Sequence, residues 1–451
     1  MDWKTQKVLV AGSGKSGIGA TDLLKKVGAK VIIYDGNDKL KEEDVLNKLE
    51  NKEDVKVILG ELEDSVINEI DMMVLSPGIA IDAPFVLRVK EAGVPIWGEI
   101  ELAYVIGKGK LAAITGTNGK TTTTALVGEI MANYYDKVDV VGNIGNPYTT
   151  TAFDSTDDTV TVAEISSFQL ETIHTFKPDV SAVLNITPDH LNRHYTMECY
   201  TDVKMSIAKN QDSNQPIVLN YEDPILREYA GKLTNRIIWF SSKQKVNPGV
   251  YLEGKNIIYA DGKKETFVTT TEDTTLVGIH NVENIMAAIA ISINMDVPVD
   301  IIRETIRKFK AVPHRIEYVE TINDVIYYND SKGTNTDASI KAIEAMSRPT
   351  ILIAGGYDKK VSFDDWAEAF GDKVKCLVLL GQTAEQIADT VKKHGFTNII
   401  FTESLKEAVD ECAKNAKPGD AVLLSPACAS WGMFDNYEQR GDMFKEYVRN
   451  L

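Results

Sequence analysis

The chain has 451 residues, more than one hydrophobic core serves, and at roughly 150 residues per domain it predicts about three domains. Hydrophobic residues at 43% and charged residues at 25% fit an ordinary globular protein that needs no disulfide or metal staple to fold. A net charge of -17 argues against a nucleic-acid surface, which requires a basic footprint, but leaves anionic small molecules open, because nests of backbone N–H groups bind phosphate on acidic proteins too.

The first segment alternates strands and helices. Val8–Ala11, Val31–Tyr34 and Met72–Leu75 read as short apolar strands, and Gly17–Val27 has helical periodicity. A glycine-rich turn, Gly12-Ser13-Gly14-Lys15-Ser16-Gly17, joins the first strand to this helix, and the βαβ order predicts a parallel sheet with right-handed crossovers. A second unit starts near Gly98. It has strands at Leu111–Thr115, Val160–Glu164, Val180–Asn185 and Ile217–Asn220, a helix over Thr121–Ala132, another through Met205, and a hairpin at Val250–Tyr259 turning near Gly254. Helices Glu283–Met295 and Val299–Phe309 close it. From about Pro313 the alternation resumes, with strands Val325–Asn329, Thr350–Ala354, Cys376–Leu380, Asn398–Phe401 and Ala421–Leu424 and helices Asp337–Met346, Ala384–His394 and Leu405–Ala413. The expectation is an α/β protein of three domains, divided at 1–98, 99–312 and 313–451.

No apolar run approaches the ~20 residues of a membrane span, and the N-terminus lacks a signal-peptide core. Four scattered cysteines, Cys199, Cys376, Cys412 and Cys428, form no C-x-x-C pair and suit a reducing compartment. The expected location is the cytoplasm, with no membrane or nucleic-acid partner.

Two loops carry phosphate chemistry. Gly12-x-Gly14-x-x-Gly17 follows a strand and opens a helix, with Asp35 at the end of the next strand. That pattern admits a dinucleotide site, a merely tight strand–helix turn, or a site for another nucleotide diphosphate, since helix N-terminal N–H groups attract any pyrophosphate. The second loop, Gly116-Thr117-Asn118-Gly119-Lys120-Thr121, is more specific. Its N–H groups can wrap phosphates, Lys120 can neutralise β- and γ-phosphate charge, and Thr121 can ligate Mg²⁺. Ile114 stands where the usual pattern has its first glycine. Two such loops predict two nucleotides held at once, which neither a dehydrogenase nor a simple P-loop motor requires. Glu164 places a carboxylate at a strand end, where α/β folds bind ligands, and Pro188-Asp189-His190-Leu191-Asn192-Arg193-His194 offers polar groups at another. Lys204, on the helix beyond, reads as a solvated lysine from composition alone.

In this order the motifs resemble the Mur ligases, ATP-dependent amide-forming enzymes of peptidoglycan precursor synthesis. The resemblance spans almost the whole chain. It rests on Gly116–Thr122, Gly142-Asn143-Ile144-Gly145, Glu164-Ile165-Ser166-Ser167-Phe168-Gln169-Leu170, Asp189-His190-Leu191, His280-Asn281-Val282-Glu283-Asn284, Pro313-His314-Arg315-Ile316-Glu317 and Asn329-Asp330-Ser331-Lys332. Ser76-Pro77-Gly78-Ile79, Gly98-Glu99-Ile100-Glu101-Leu102, Gly355-Gly356-Tyr357-Asp358-Lys359, the run from Leu424 to Ser430 and Tyr437-Glu438-Gln439-Arg440-Gly441 are similar to the branch that adds D-glutamate. Folylpolyglutamate synthase shares the ATP loop, but its folate-binding features have no match here.

The resemblance implies a Rossmann-like N-terminal domain that binds UDP, a central P-loop NTPase-type domain with a mainly parallel sheet, and a Rossmann-like C-terminal domain. It implies UDP-N-acetylmuramoyl-L-alanine, D-glutamate and ATP as substrates, joined through an acyl phosphate by a monomer. Gly14, Lys15, Ser16, Asp35, Gly36, Asn37, Ser76 and Gly78 would surround the UDP group, with Asn143 and His190 at the sugar-peptide part. Gly116, Thr117, Asn118, Gly119, Lys120, Thr121, Thr122, Asn284, Arg315 and Asp330 would hold ATP. Thr121, Glu164, His190 and an N-carboxylated Lys204 would hold or orient two Mg²⁺ ions, and Lys332, Thr334, Lys359, Ser430 and Tyr437 would take D-glutamate. Lys120, Glu164, His190, Lys204 and Arg315 are the expected catalytic set. Asn192, where an Asp is common, and Lys360, beside Lys359, depart from the family pattern.

Overall fold

Short segments rich in Val, Ile and Leu pair side by side into three sheets in a computed structural model that describes residues 2–143, 145–310 and 312–451. Met1, Ile144 and Ala311 lie outside the described residues, so Ile144 of the Gly142–Gly145 motif is set aside. The first sheet runs in the order Lys56–Leu59, Lys30–Asp35, Lys7–Ala11, Met72–Leu75, Ile96–Gly98 and is parallel throughout. Leu9 and Val10 have no exposed surface although they point to opposite faces, as parallel sheets covered on both sides require.

Nine strands form the second sheet, in the order Glu265–Thr270, Asn256–Ala260, Gly249–Glu253, Ile237–Ser241, Ile217–Asn220, Val180–Val183, Lys110–Thr115, Val160–Glu164, Val138–Gly142. Only the two pairings at its hairpin edge are antiparallel. From Lys110–Thr115 the chain proceeds to one side and then crosses back to Val180–Val183 on the other. The C-terminal end of that strand is therefore a topological switch point, the place where open α/β sheets form a binding crevice. The third sheet has the order Glu317–Ile322, Val325–Asn329, Ala421–Leu424, Thr350–Ala354, Val374–Leu379, Ile399–Phe401, with only its first pair antiparallel.

The chain gathers into two compact units. One comprises the residues up to Thr270 with Ile285–Ile306 and contains the first two sheets; the other comprises Thr271–Asn284 and Arg307–Leu451 and contains the third. Within the first unit a single apolar core joins Val8, Leu23 and Met72 to Ile100, Ala103, Tyr148 and Ala152. The N-terminal sheet and the central sheet thus share buried surface.

Most expected elements form within a residue or two of their limits. Val180–Asn185 is shortened, because the strand ends at Val183 and Asn185 turns its side chain to the phosphate loop. The helix expected from Glu283 starts at Ile279. Lys56–Leu59, Val138–Gly142 and Glu317–Ile322 escape sequence reading as strands, since they lie at sheet edges and half their side chains stay wet. The helix Tyr437–Arg449 is missed for a related reason: its apolar face is interrupted by Arg440 and Gly441, both of which are buried.

One carboxylate pins the connection between the two sheets of the first unit. Glu101 is fully buried on the helix Glu99–Ile106 and accepts hydrogen bonds from the N–H groups of His174, Thr175 and Phe176 and from the Thr175 hydroxyl. A carboxylate has only acceptors, which is what four converging donors need. Glu101→Gln would turn an NH₂ group toward those donors and should cost about 3 kcal/mol of stability, read as a lower urea midpoint with unchanged slope. An unchanged midpoint would refute this role.

Candidate active site

The strand Lys110–Thr115 ends in a loop that is fastened before any ligand arrives. Gly116 has φ +150°, and a Cβ there would lie 3.0 Å from the Leu184 Cβ. Gly119 caps the following helix at φ 85° in the left-handed region that glycine tolerates. Thr117 N donates to the Asn185 carbonyl at 2.9 Å, Asn118 N to Asn185 Oδ1 at 2.8 Å, and Thr117 Oγ1 exchanges hydrogen bonds with the Thr187 backbone. Ile114 is an ordinary strand residue, paired with Glu164 and Ala182, so the shortened glycine pattern reflects a strand that runs on to Thr115. The next helix opens Lys120-Thr121-Thr122-Thr123-Thr124, a poor helical run whose threonines are all buried, so packing rather than propensity holds it.

Two lysines meet on one carbonyl. Lys120 Nζ donates to Gly116 O at 2.9 Å and to Thr117 O at 2.8 Å, and Lys204 Nζ donates to the same Gly116 O at 2.8 Å. Lys204 is 2% exposed and its Nζ lies 4.7 Å from the centre of the Tyr200 ring. Burial pushes its amine well below the ordinary lysine value; Lys120 adds to that effect, while Asp189 and Glu164 oppose it. The solvated lysine expected from composition is therefore an interior one.

Glu164 ends its strand 2% exposed. Its Oε1 accepts from Asn143 Nδ2 at 2.8 Å, and its Oε2 is buried with no hydrogen-bond partner among the described residues. Gly142, at φ 106°, allows this approach, since a Cβ there would sit 2.2 Å from the Glu164 carbonyl oxygen. Two residues on, Ser166 caps a short helix in a reciprocal box with Gln169, and Gln169 Nε2 donates to Glu99 Oε1 at 2.6 Å. His190 is left-handed at φ 52°, half exposed, 3.5 Å from Asp189 and edge-on to Phe168 at 4.8 Å. Among the described residues no three His, Cys, Asp or Glu side chains form a metal cage. The donor set nevertheless fits Mg²⁺, which is commonly held by one or two carboxylates and completed by substrate phosphates: Glu164 Oε2 is a buried carboxyl oxygen with no partner among the described residues.

The run Pro188–His194 supplies polar groups, as expected, and two of them brace this region. Arg193 pairs with the buried Glu171, stacks on Phe168 at 4.8 Å, and donates to the Ile79 carbonyl at 2.8 Å. His194 contacts Ser167 Oγ at 3.0 Å, and burial, with neighbouring cations, lowers it to about 4. These contacts are long-range, so no local pattern marks them.

The turn at Gly12 borders a cavity of about 650 Å³ lined by residues 12–16, 34–37, 76–79 and Phe85. It collects Gly14, Lys15, Ser16, Asp35, Gly36, Asn37, Ser76 and Gly78 of the expected set. Tyr34 and Phe85, not foreseen, meet edge-to-face at 4.9 Å on its wall. Asp35 Oδ2 accepts from Ser13 N and Oγ, and Oδ1 from Asn37 N. Burial works against its charge, but these hydrogen bonds and nearby Lys48 outweigh it and hold the carboxyl below its ordinary value. Asp35 thus shapes the turn with its own carboxylate.

In the second unit Asp330 is fully buried, takes Ser425 Oγ at 2.8 Å and lies 3.8 Å from Arg315. Burial lifts it to about 6 against the pull of Arg315 and Ser425. Lys332 Nζ stands 5.3 Å from the Tyr437 ring, Lys359 Nζ donates to Thr334 O at 3.3 Å, and Tyr357 N donates to Ala429 O beside the buried Ser430. These contacts bring the five expected amino-acid residues into one neighbourhood. Asn284, 6% exposed, also belongs to this unit.

Residues 6–98 match the Mur ligase MurD-like N-terminal domain, 114–292 the Mur ligase middle domain and 314–428 the Mur ligase glutamate ligase domain. The chain belongs to the Mur ligase family, which is a family of ATP-dependent amide-forming ligases. It is 58% identical over 452 residues, covering all of both chains, to a protein of Lachnospira eligens, and 48% identical, again over the whole of both, to one of Clostridioides difficile. Both relatives bear the name UDP-N-acetylmuramoylalanine--D-glutamate ligase. In fold it resembles the MurF ligase of Thermotoga maritima in complex with ADP (TM-score 0.62, 17% identity, 100% and 99% of the chains) and the UDP-N-acetylmuramate-alanine ligase of the same organism (TM-score 0.61, 18% identity, 99% of each).

The Glu99 carboxyl behind the site has one oxygen on Gln169 and the other buried with no partner among the described residues. Burial lifts it from 4.5 to about 7, against the hydrogen bond from Gln169. A raised carboxyl value means the folded state keeps its proton while the unfolded state loses it, so stability falls as pH rises from 4.5 to 7. Glu99→Gln should remove that slope and gain up to about 3 kcal/mol over the parent at pH 8 but nothing at pH 4, measured by denaturant unfolding. Parallel pH profiles for the two proteins would refute it.

Proposed function

We propose that this ligase joins D-glutamate to UDP-N-acetylmuramoyl-L-alanine at the expense of ATP, as a cytoplasmic monomer with functional domains at 1–98, 99–312 and 313–451. The full-length identity of 58% to a relative named for this reaction carries the reading. It accounts for two different phosphate-type loops on one chain, since one would take the UDP group and the other ATP.

A carboxylate is a poor electrophile, so an oxygen of the L-alanine carboxylate first attacks the γ-phosphorus of ATP, the bond from that phosphorus to the β–γ bridging oxygen breaks, and an acyl phosphate and ADP form. The neutral D-glutamate amine then attacks that carbonyl carbon, the C–O bond to phosphate breaks, the nitrogen releases a proton, and amide and phosphate result. Most of the protein's work is positioning and charge neutralisation. The loop Gly116–Thr122 cradles the phosphates, and Lys120 leaves its carbonyl partners to meet the γ-phosphate. Arg315, Asp330 and Asn284 contact the nucleotide. The turn at Gly12 holds the UDP diphosphate, with Asn143 and His190 at the sugar-peptide end. Lys332, Thr334, Lys359, Ser430 and Tyr437 take the amino acid.

Glu164 and Thr121 would hold Mg²⁺, with His190 beside a second ion; bound there, the metal would supply charge neutralisation for the phosphates. Lys204 is proposed to be N-carboxylated. Carbamate formation needs a neutral amine, whose nitrogen attacks CO₂ and releases a proton, and the burial that lowers the Lys204 amine favours that form. The product is an anion beside Lys120, where an ammonium is repelled.

Phosphate release is measured with UDP-N-acetylmuramoyl-L-alanine, with and without D-glutamate. Sustained release should require both, and Lys120→Ala should lower the rate by about a hundredfold or more. Near-normal turnover of that variant would remove Lys120 from the ATP site. Intact-protein mass spectrometry in bicarbonate under carbamate-preserving conditions should find one added CO₂, absent in Lys204→Arg. Full activity in protein without the adduct would overturn the modification.

A further inference from the structure

We propose that Arg440 is a positioning residue of the amino-acid pocket, the hub that orders the backbone segments presenting Lys332, Ser430 and Lys359 to a dicarboxylic amino acid. The inference rests on the proposed reading of this pocket as the D-glutamate site.

Arg440 lies one turn into the helix Tyr437–Arg449, whose first turn is fixed by the Asn436 cap on Gln439 N at 2.7 Å. Its side chain runs inward and the residue is only 2% exposed. Nε donates to Ser331 Oγ at 2.9 Å and Nη2 to Ser331 O at 2.8 Å, while Nη1 donates to Cys428 O at 3.3 Å. Ser331 Oγ in turn donates to Tyr437 O at 2.8 Å, so the serine hydroxyl ties the guanidinium back to its own helix. A third segment passes alongside, for a Cβ on Gly356 would lie 3.5 Å from Nη1. Ser331 immediately precedes Lys332, Cys428 stands two residues before Ser430, and Gly356 three before Lys359. Three strand-end segments that are far apart in sequence therefore meet at one planar group.

The charge on that group is the second observation. A buried guanidinium is ordinarily paired with a carboxylate. Among the described residues Arg440 faces carbonyl and hydroxyl oxygens instead, and the nearby Asp330 is engaged by Ser425 and Arg315. Burial lowers Arg440 to about 10, still charged at neutral pH. Lys332 and Lys359 add the same sign close by. If filling space were its only task, an apolar side chain would serve without burying a charge. An excess of interior positive charge suits a ligand that brings two carboxylates. Lysine cannot replace this arrangement, because its single ammonium lacks the planar fork that reaches two segments at once.

Steady-state kinetics of the full chain tests this, with KM measured separately for D-glutamate, ATP and UDP-N-acetylmuramoyl-L-alanine in the parent, Arg440→Lys and Ser331→Ala. Arg440→Lys should raise the D-glutamate KM about tenfold and Ser331→Ala by less, with the other two KM values within about twofold, as expected for losing hydrogen bonds to a charged group. A folded Arg440→Lys that leaves the D-glutamate KM unmoved, or shifts all three equally, overturns the proposal. If Arg440→Lys does not fold, Ser331→Ala decides, and an unmoved D-glutamate KM in that variant overturns the proposal equally. Absence of D-glutamate dependence in the parent would instead overturn the pocket reading, and this proposal with it.

Discussion

The carbonyl of Gly116 accepts hydrogen bonds from two lysine amines, and much of the first unit is arranged so that it can. The carbonyl is aimed by a backbone conformation in which a Cβ would press on Leu184. The loop behind it is held by Asn185 and Thr187, both from the segment just past the neighbouring strand. Lys204 reaches it from a helix that follows that segment by a dozen residues, with Tyr200 packed under its amine. Two amines so close repel each other, and the counter-charges are Asp189 and Glu164 at adjoining strand ends. Only the strand order that puts Lys110–Thr115 between Val160–Glu164 and Val180–Val183 brings those groups to one crevice.

Behind this front the first unit is braced by polar groups of unusual depth. Glu171 and Arg193 link the loop bearing His190 to the Ile79 carbonyl on the wall of the Gly12 cavity. Glu101 locks the helix after the first sheet onto residues 174–176. Glu99, two residues before it, reaches the capping box that follows Glu164. A buried polar network fixes geometry because each member is costly to leave unsatisfied. These contacts brace the wall of the Gly12 cavity, the helix after the first sheet and the capping box that follows Glu164.

The sequence conveyed what local chemistry can convey. Strands buried on both faces read as apolar runs, and the loops at Gly12 and Gly116 read as phosphate cradles because their glycines are needed at short range. Family resemblance then collected the residues that now line the cavity at Gly12 and the cluster around Lys332. Glu101, Arg193 and Arg440 lie in segments that the sequence marks, but what each side chain holds is illegible there because the partners lie 73 to 75, 114 and 109 residues away. Lys204 was misread in composition for a similar reason: nothing near it in sequence announces a buried amine. Edge strands such as Glu317–Ile322 carry too many wet positions to show their period.

The same electrostatic logic recurs in both units and resolves an apparent conflict with composition. At a net charge of -17 the surface as a whole disfavours the anionic nucleotides and amino acid this ligase is proposed to use. Attraction must therefore come from short range, where screening by solvent is weakest. Lys120 in one unit and Arg440 in the other are cations bonded to backbone carbonyls. An interior cation held this way is costly unless an anion approaches, and that cost biases each site toward the charged state it must bind. Positive charge on the surface would attract phosphate to many places. Positive charge buried beneath a fixed loop attracts it only where the loop's own N–H groups are already aimed.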